Sequence, residues 1–210
     1  MSRNQRTITA MKLAFIRGAD LIAAPWKNGG GVTREIAAYP PGAGFDTFIW
    51  RVSLADVAQP GPFSSFAGID RTLVLLSGAG MLLDEAQGHT HALEQPYGIA
   101  RFAGEAAIGA RLIDGATRDF NLMIRRGAAT GDIDVWHSGE SHAVSADTLL
   151  LFCAAGSLNV TLAGVDEPVA LATNDTLRID DVQHTLDCAL SGNGTVLAIL
   201  IHHAARAARA

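Results

Sequence analysis

The chain is built from apolar pieces too short for anything but strands. "FIWRVSLA" (48–55), "RTLVLLSG" (71–78), "DFNLMIRR" (119–126), "TLLLFCAAG" (148–156), "LNVTLAG" (158–164) and "TVLAILIHH" (195–203) are separated by Gly, Pro, Asp and Asn. Such punctuation ends strands and starts turns. Several pieces alternate with period two. Trp50, Val52 and Leu54 oppose Arg51 and Ser53, and Phe120, Leu122 and Ile124 oppose Asn121, Met123 and Arg125. No long amphipathic helix pattern competes with them. The expected class is all-β, a sandwich or barrel. The closing "AARAARA" is assigned no role.

Composition narrows the function classes. Hydrophobic residues make up 49% and charged residues 18% of 210 residues, so a large core is expected rather than disorder. A net charge of -5 argues against a general nucleic-acid surface, which needs a basic face. No segment approaches the length of a membrane span, and the N-terminal stretch lacks the pattern of a signal peptide. The expectation is a soluble, cytoplasmic protein. Cys153 and Cys188 match no zinc or redox spacing and are expected to be buried thiols.

An internal repeat divides the chain. "RTLVLLSGAGM" from residue 71 and "DTLLLFCAAGS" from residue 147 share Thr72/Thr148, Leu73/Leu149, Leu75/Leu151, Ala79/Ala155 and Gly80/Gly156. Each copy continues as strand, polar turn, strand. Two copies of one β unit are expected, as domains 1–126 and 127–210, with the boundary in the Gly-, Ala- and Asp-rich stretch 126–135.

"PWKNGGGVTREI" (25–36) holds three consecutive glycines. A phosphate-binding P-loop needs Gly-Lys-Ser/Thr opening a helix; here Lys27 precedes the glycines and Val32-Thr33 follow. The Asn-Gly pair is instead a hairpin signal, because both residues tolerate positive φ. Two readings stay open. The turn is purely structural, or its glycines let backbone approach a ligand.

"WKNGGGVTREI", "FIWRVSLADVAQPGPFSSFAGIDRTLVLLSGAGM" and "DFNLMIRRG" together resemble the signature blocks of the HutD/Ves family, over residues 26 to 127. The resemblance implies a bicupin: two cupin-like, double-stranded β-helix (RmlC-like jelly-roll) barrels in one chain. It also implies an association with histidine utilisation, with members acting as regulators or binders of urocanate- or formylglutamate-like intermediates. Metal-binding cupins carry His-x-His, three or four residues, Glu, then six residues and Gly. Counted back from Gly78, the Glu position falls on Arg71, and "PFSSFAGID" offers no histidine. The resemblance therefore implies a first barrel without metal or cofactor. "HTHALE" (His89, His91, Glu94) imitates a metal motif but follows the strand that cupin ligands precede. His137, His142, His184 and the adjacent His202-His203 pair are scattered, and Arg101 aligns only loosely with the second cupin histidine.

The residues themselves suggest an anion site. A strand arginine buried without a counter-charge costs several kcal/mol, so a partner or a ligand carboxylate must complete it. Arg51 and Arg71 are assigned as the clamp, with Glu35, Asp119 and Asp70 as candidate counter-charges. Ser53, Ser64, Asn121 and Arg125 are assigned to further hydrogen bonding, and Trp26, Trp50 and Asn28 to its walls and turn. The second repeat carries Asp147 where the first has Arg71, and its barrel is expected to play a supporting role. The leading expectation is a metal-free protein that binds a small carboxylate. A metal-independent isomerase or lyase with Glu35 as base is the alternative, and a metal enzyme using His89 and His91 ranks third. A homodimer stays open.

Overall fold

A computed structural model describes residues 11–182 and 185–204. Readings placed on residues 1–10, on His184 and on the tail beyond residue 204 lie outside the described residues. Among those described, the chain is all β apart from one 3-10 turn, Gly18–Asp20. In chain order the strands are β1 (Lys12–Ile16), β2 (Ala23–Pro25), β3 (Gly31–Tyr39), β4 (Trp50–Val57), β5 (Gly61–Pro62), β6 (Ile69–Ser77), β7 (Met81–Glu85), β8 (Thr90–Leu93) and β9 (Ile99–Ala103). Then come β10 (Ile108–Leu112), β11 (Thr117–Arg125), β12 (Ala129–His137), β13 (Ser141–Val144), β14 (Thr148–Leu162), β15 (Val169–Ala172), β16 (Thr176–Asp180) and β17 (Leu186–His203). No helix among the described residues is long and apolar enough to cross a membrane.

Two compact units result. Unit A holds Asp20–Asp132 with residues 203–204; unit B holds residues 11–19 with Ile133–His202. This division differs from 1–126 and 127–210 in two ways. The main boundary, between Asp132 and Ile133, falls within the stretch 126–135 but inside strand β12 and not at residue 126. Residues 11–19 belong to unit B, because β1 pairs antiparallel with β16 from Lys12↔Asp180 to Ile16↔Thr176. A short strand satisfies its backbone by joining an edge wherever that edge lies, not by staying near its sequence neighbours.

In unit A, a sheet in the order β2-β3-β4-β11-β6-β9 faces a second in the order β5-β10-β7-β8. Between them lies one apolar cluster. Val57, Leu73, Leu75, Ala100 and Phe102 come from the first sheet, and Met81, Leu83, Leu93, Ile108 and Ala110 from β7, β8 and β10. The opposite faces of β4 and β11 are also buried, through Trp50, Val52, Leu54, Phe120, Leu122 and Ile124. Strands buried on both faces need apolar residues at every position, and any polar side chain among them is costly. Arg51, Ser53, Arg71, Asp119 and Asn121 are such exceptions.

Unit B is organised around two long strands. Stretches 148–156 and 158–164, expected as separate strands, form the single β14, and 195–203 is the end of the 18-residue β17. β14 changes register against β17 between Cys153 and Ala155. Gly156 has φ 77°, and a Cβ there would stand 2.1 Å from the Asn193 carbonyl oxygen. The bulge and the glycine bend the strand instead of ending it. Both of its halves then serve one core: Leu149, Leu151 and Cys153 pack in the same cluster as Leu158, Val160 and Leu162. The repeat partner in unit A behaves differently. After Ser77, Gly78 and Gly80 adopt positive φ and turn the chain directly into β7.

Candidate functional site

The glycine run closes the hairpin between β2 and β3, whose register runs Ala23↔Arg34 to Pro25↔Val32. Asn28 Oδ1 accepts a hydrogen bond from the Gly30 amide at 3.0 Å, and Gly29 takes the positive φ. The close approach at Gly31 is to the chain itself. A Cβ would meet the Asp56 carbonyl oxygen at 2.5 Å and the Trp26 ring at 3.1 Å. Trp26 packs on the unit A core and donates its indole N–H to Thr33 Oγ1 at 2.7 Å. Trp26 and Asn28 thus hold the turn, and a narrow cleft lined by both, with Gly30 and Phe63, adjoins them.

The polar exceptions on the inner face of unit A converge. Strand register places Asn121 between Ser53 and Leu73, and Met123 between Arg51 and Arg71. Two strand spacings put the two arginine Cα atoms about 10 Å apart, with their side chains on one face. β3 supplies Glu35 opposite Ser53, just before a register shift between Glu35 and Ala37. That irregularity interrupts the simple alternation of faces along β3.

Arg51 is satisfied. Its Nε donates to Glu35 Oε2 at 2.7 Å and its Nη1 to Ser53 Oγ at 3.2 Å, and its guanidinium lies 5.1 Å from the Phe45 ring centre. Glu35 is thereby committed to an ion pair, with 45% of its side chain exposed.

Arg71 is held differently. It is 8% exposed and sits over three rings, Phe63 at 5.1 Å, Phe66 at 5.8 Å and Phe102 at 5.1 Å. Aromatic faces stabilise a buried cation by about 0.5–2 kcal/mol each but accept no conventional hydrogen bond. Its hydrogen bonds go to one atom, Asn121 Oδ1, at 3.3 and 3.4 Å. Of its five N–H donors, only those on Nε and Nη2 reach this single, distant acceptor. Burial, then the neighbouring positive charge of Arg51, push its pKa down to about 10, against the pull of Asp119. It remains a cation at neutral pH.

Asp119 lies on the same face as Asn121, one pleat further along β11. It is fully buried, and neither carboxylate oxygen has a hydrogen-bond partner of good geometry. Burial, and next the negative charge of Asp56, raise its pKa to about 8, with the Thr117 hydroxyl and Arg71 pulling the other way. Asp56 itself is held low, chiefly by its hydrogen bond to Arg118.

The remaining assigned residues are placed elsewhere. Arg125 donates to the carbonyls of Phe48 at 2.9 Å and Asp46 at 3.0 Å, so it anchors the loop before β4. Trp50 is on the opposite face of β4 from Arg51, which removes it from the clamp. Ser64 is exposed in the loop between β5 and β6. Arg101 is exposed and pairs with Asp132 at 2.5 Å, and Asp70 pairs with Arg126 at 2.8 Å. His91 is on β8 opposite Leu83. It bonds Glu85 at 2.8 Å and its ring centre lies 6.0 Å from that of Phe102. The aromatic lining of Arg71 is what sequence reading missed. Its signal was present in "PFSSFAGIDR", where two phenylalanines occupy the segment that would carry histidines in a metal cupin.

A divalent cation does not fit this face, because a guanidinium stands at its centre. Among the described residues no group of three His, Cys, Asp or Glu side chains is arranged to hold a metal ion.

The two facing sheets agree with the solved structures of similar shape. A variant of Bacillus subtilis oxalate decarboxylase OxdC superposes with a TM-score of 0.59 at 7% identity, over 90% of this chain and 76% of that one. At that identity the likeness shows the fold alone, and the class is a cupin-like all-β protein. HutD from Pseudomonas fluorescens SBW25 superposes with a TM-score of 0.79 at 32% identity, over 91% of this chain and 99% of that one. An uncharacterised 21.2 kDa protein in the hutC 3′ region of Pseudomonas putida is 36% identical over 191 residues, 90% of this chain and 98% of the relative. Protein Ves of Citrobacter koseri is 40% identical over 104 residues, about half of each chain. The HutD family model matches residues 18–198, and the chain belongs to the HutD family.

Proposed function

We propose that this chain is a bicupin that binds a small carboxylate in unit A and acts in histidine utilisation. The observation that carries the reading is Arg71, a buried cation stacked on three phenylalanines whose donors reach only Asn121 Oδ1. A planar carboxylate is the natural complement to such a fork of donors, because guanidinium binds it in a bidentate way. Charge supports the same ligand. Arg51 is neutralised by Glu35, and Asp119 with a pKa of about 8 is mostly protonated at pH 7, so Arg71 leaves one net positive charge on this face. The phenyl rings favour a flat, unsaturated or aromatic body behind the carboxylate. Membership of the HutD family supports a role in histidine utilisation, and the family resemblance implies urocanate or a formylglutamate-like acid as the ligand to try first. A catalytic base at Glu35 has less support, since that carboxylate is occupied by Arg51.

Calorimetry with urocanate and N-formylglutamate tests this, with and without a chelator. Wild type is expected to bind at least one of them equally well in both conditions. Arg71→Ala is expected to lose binding at least tenfold while keeping a cooperative melt. Unchanged affinity in Arg71→Ala rules out the clamp, and loss of binding on chelation points to a metal instead.

A further inference from the structure

We infer that in alkaline solution the unit A site takes up its carboxylate ligand together with a proton, and that Asp119 holds that proton. The inference rests on the carboxylate reading of Arg71 and adds how binding is regulated.

The geometry supplies the reason. Asp119 is fully buried and its register partners, Ala55 and Leu75, lie in or against the apolar cluster between the two sheets. Its two oxygens have no hydrogen-bond partner of good geometry, so only the Thr117 hydroxyl and Arg71 favour the ionised form, and burial outweighs them. The cation acting on it is Arg71, which Asn121 holds one pleat away. Asp119 and a ligand carboxylate therefore compete for the same guanidinium. Two carboxylates sharing one buried cation cannot both stay ionised cheaply, and the one without hydrogen bonds takes the proton.

The surrounding charges do not offer another route. From β4, Arg51 is paired with Glu35 of β3, and Asp56 points to the other face and adds negative potential. From the facing sheet, the His91–Glu85 pair lies beyond Phe102, while Met81, Leu83 and Ala110 bring no charge. The balance is simple. In the free protein above pH 8, Asp119 is a carboxylate; when an anion reaches Arg71, one proton from solvent converts it to the neutral acid. Arg71, titrating near 10, stays charged through pH 9, so its own ionisation does not mimic the effect.

The test is calorimetry of the full chain with urocanate at pH 7, 8 and 9, in two buffers of different ionisation enthalpy. Affinity is expected to fall about fivefold between pH 8 and 9, with up to one proton absorbed per ligand. Asp119→Asn is expected to remove both the slope and the buffer dependence. Independently, the carboxyl carbon resonance of Asp119 in wild type is expected to titrate near pH 8 and to move upward on saturation with urocanate. A wild-type affinity that is flat from pH 7 to 9 overturns this inference alone. So does an Asp119 resonance that titrates in the ordinary acidic range. Absence of urocanate binding at every pH overturns the carboxylate reading and this inference together.

Discussion

Asp119→Asn is the most informative single change for the physical argument, because its effect on stability should reverse sign with pH. In the folded chain the carboxyl keeps its proton up to about pH 8, whereas the ordinary value is 3.8. Between those values the native state holds a proton that the unfolded state has lost. Stability contributed by this group is therefore greatest below pH 4, falls as pH rises through the window, and levels off above 8. Each pH unit corresponds to about 1.4 kcal/mol, so the burden at pH 7 is on the order of 4 kcal/mol. Asparagine removes the titration but leaves a buried amide with poor partners, which costs about 1–3 kcal/mol. The net expectation is a gain of about 1–3 kcal/mol at pH 7 and a loss of about 1–3 kcal/mol at pH 4. For a chain of this size that is roughly 2–4 °C in melting temperature per kcal/mol. Thermal melts of both proteins at the two pH values, followed by circular dichroism, measure it. A variant destabilised equally at both would mean that Asp119 is ionised in the folded protein, and the account of its burial would be wrong.

Two further expectations concern unit B. Gly156→Ala places a Cβ 2.1 Å from the Asn193 carbonyl at a φ of 77°, so the bend in β14 must shift. A loss of more than about 2 kcal/mol is expected in urea unfolding; a near-neutral effect would show that the bend does not need glycine. Cys153 and Cys188 are both buried free thiols, and burial pushes each up to about 11. Neither should react with a thiol reagent at pH 8 until the chain unfolds, and fast labelling of the native protein would contradict their placement.

The strands and their faces were legible because period-two alternation is a local property. Arg51 and Ser53 on one side of β4, with Trp50 on the other, follow from parity alone. The turn at 26–31 was readable for the same reason, since Asn28 and the glycines act over a few residues. The bend in β14 was not. "AAGS" there and "GAGM" after β6 look equivalent, and whether such a segment turns or continues depends on strands far away in sequence, β7 in one case and β17 in the other.

The same distinction governs the site. The residue order showed strand-borne arginines in an acidic chain, and the family resemblance implied that one of them stands where a chelating acid would. Only the fold decided which charges cancel. Register across β3 and β4 gives Arg51 to Glu35, while β9 and the β5–β6 loop surround Arg71 of β6 with phenylalanines and β11 leaves it Asn121. Charge and aromatic contacts act through space over a few ångströms, and β-sheet pairing joins residues 50 or more positions apart. No local pattern encodes that adjacency.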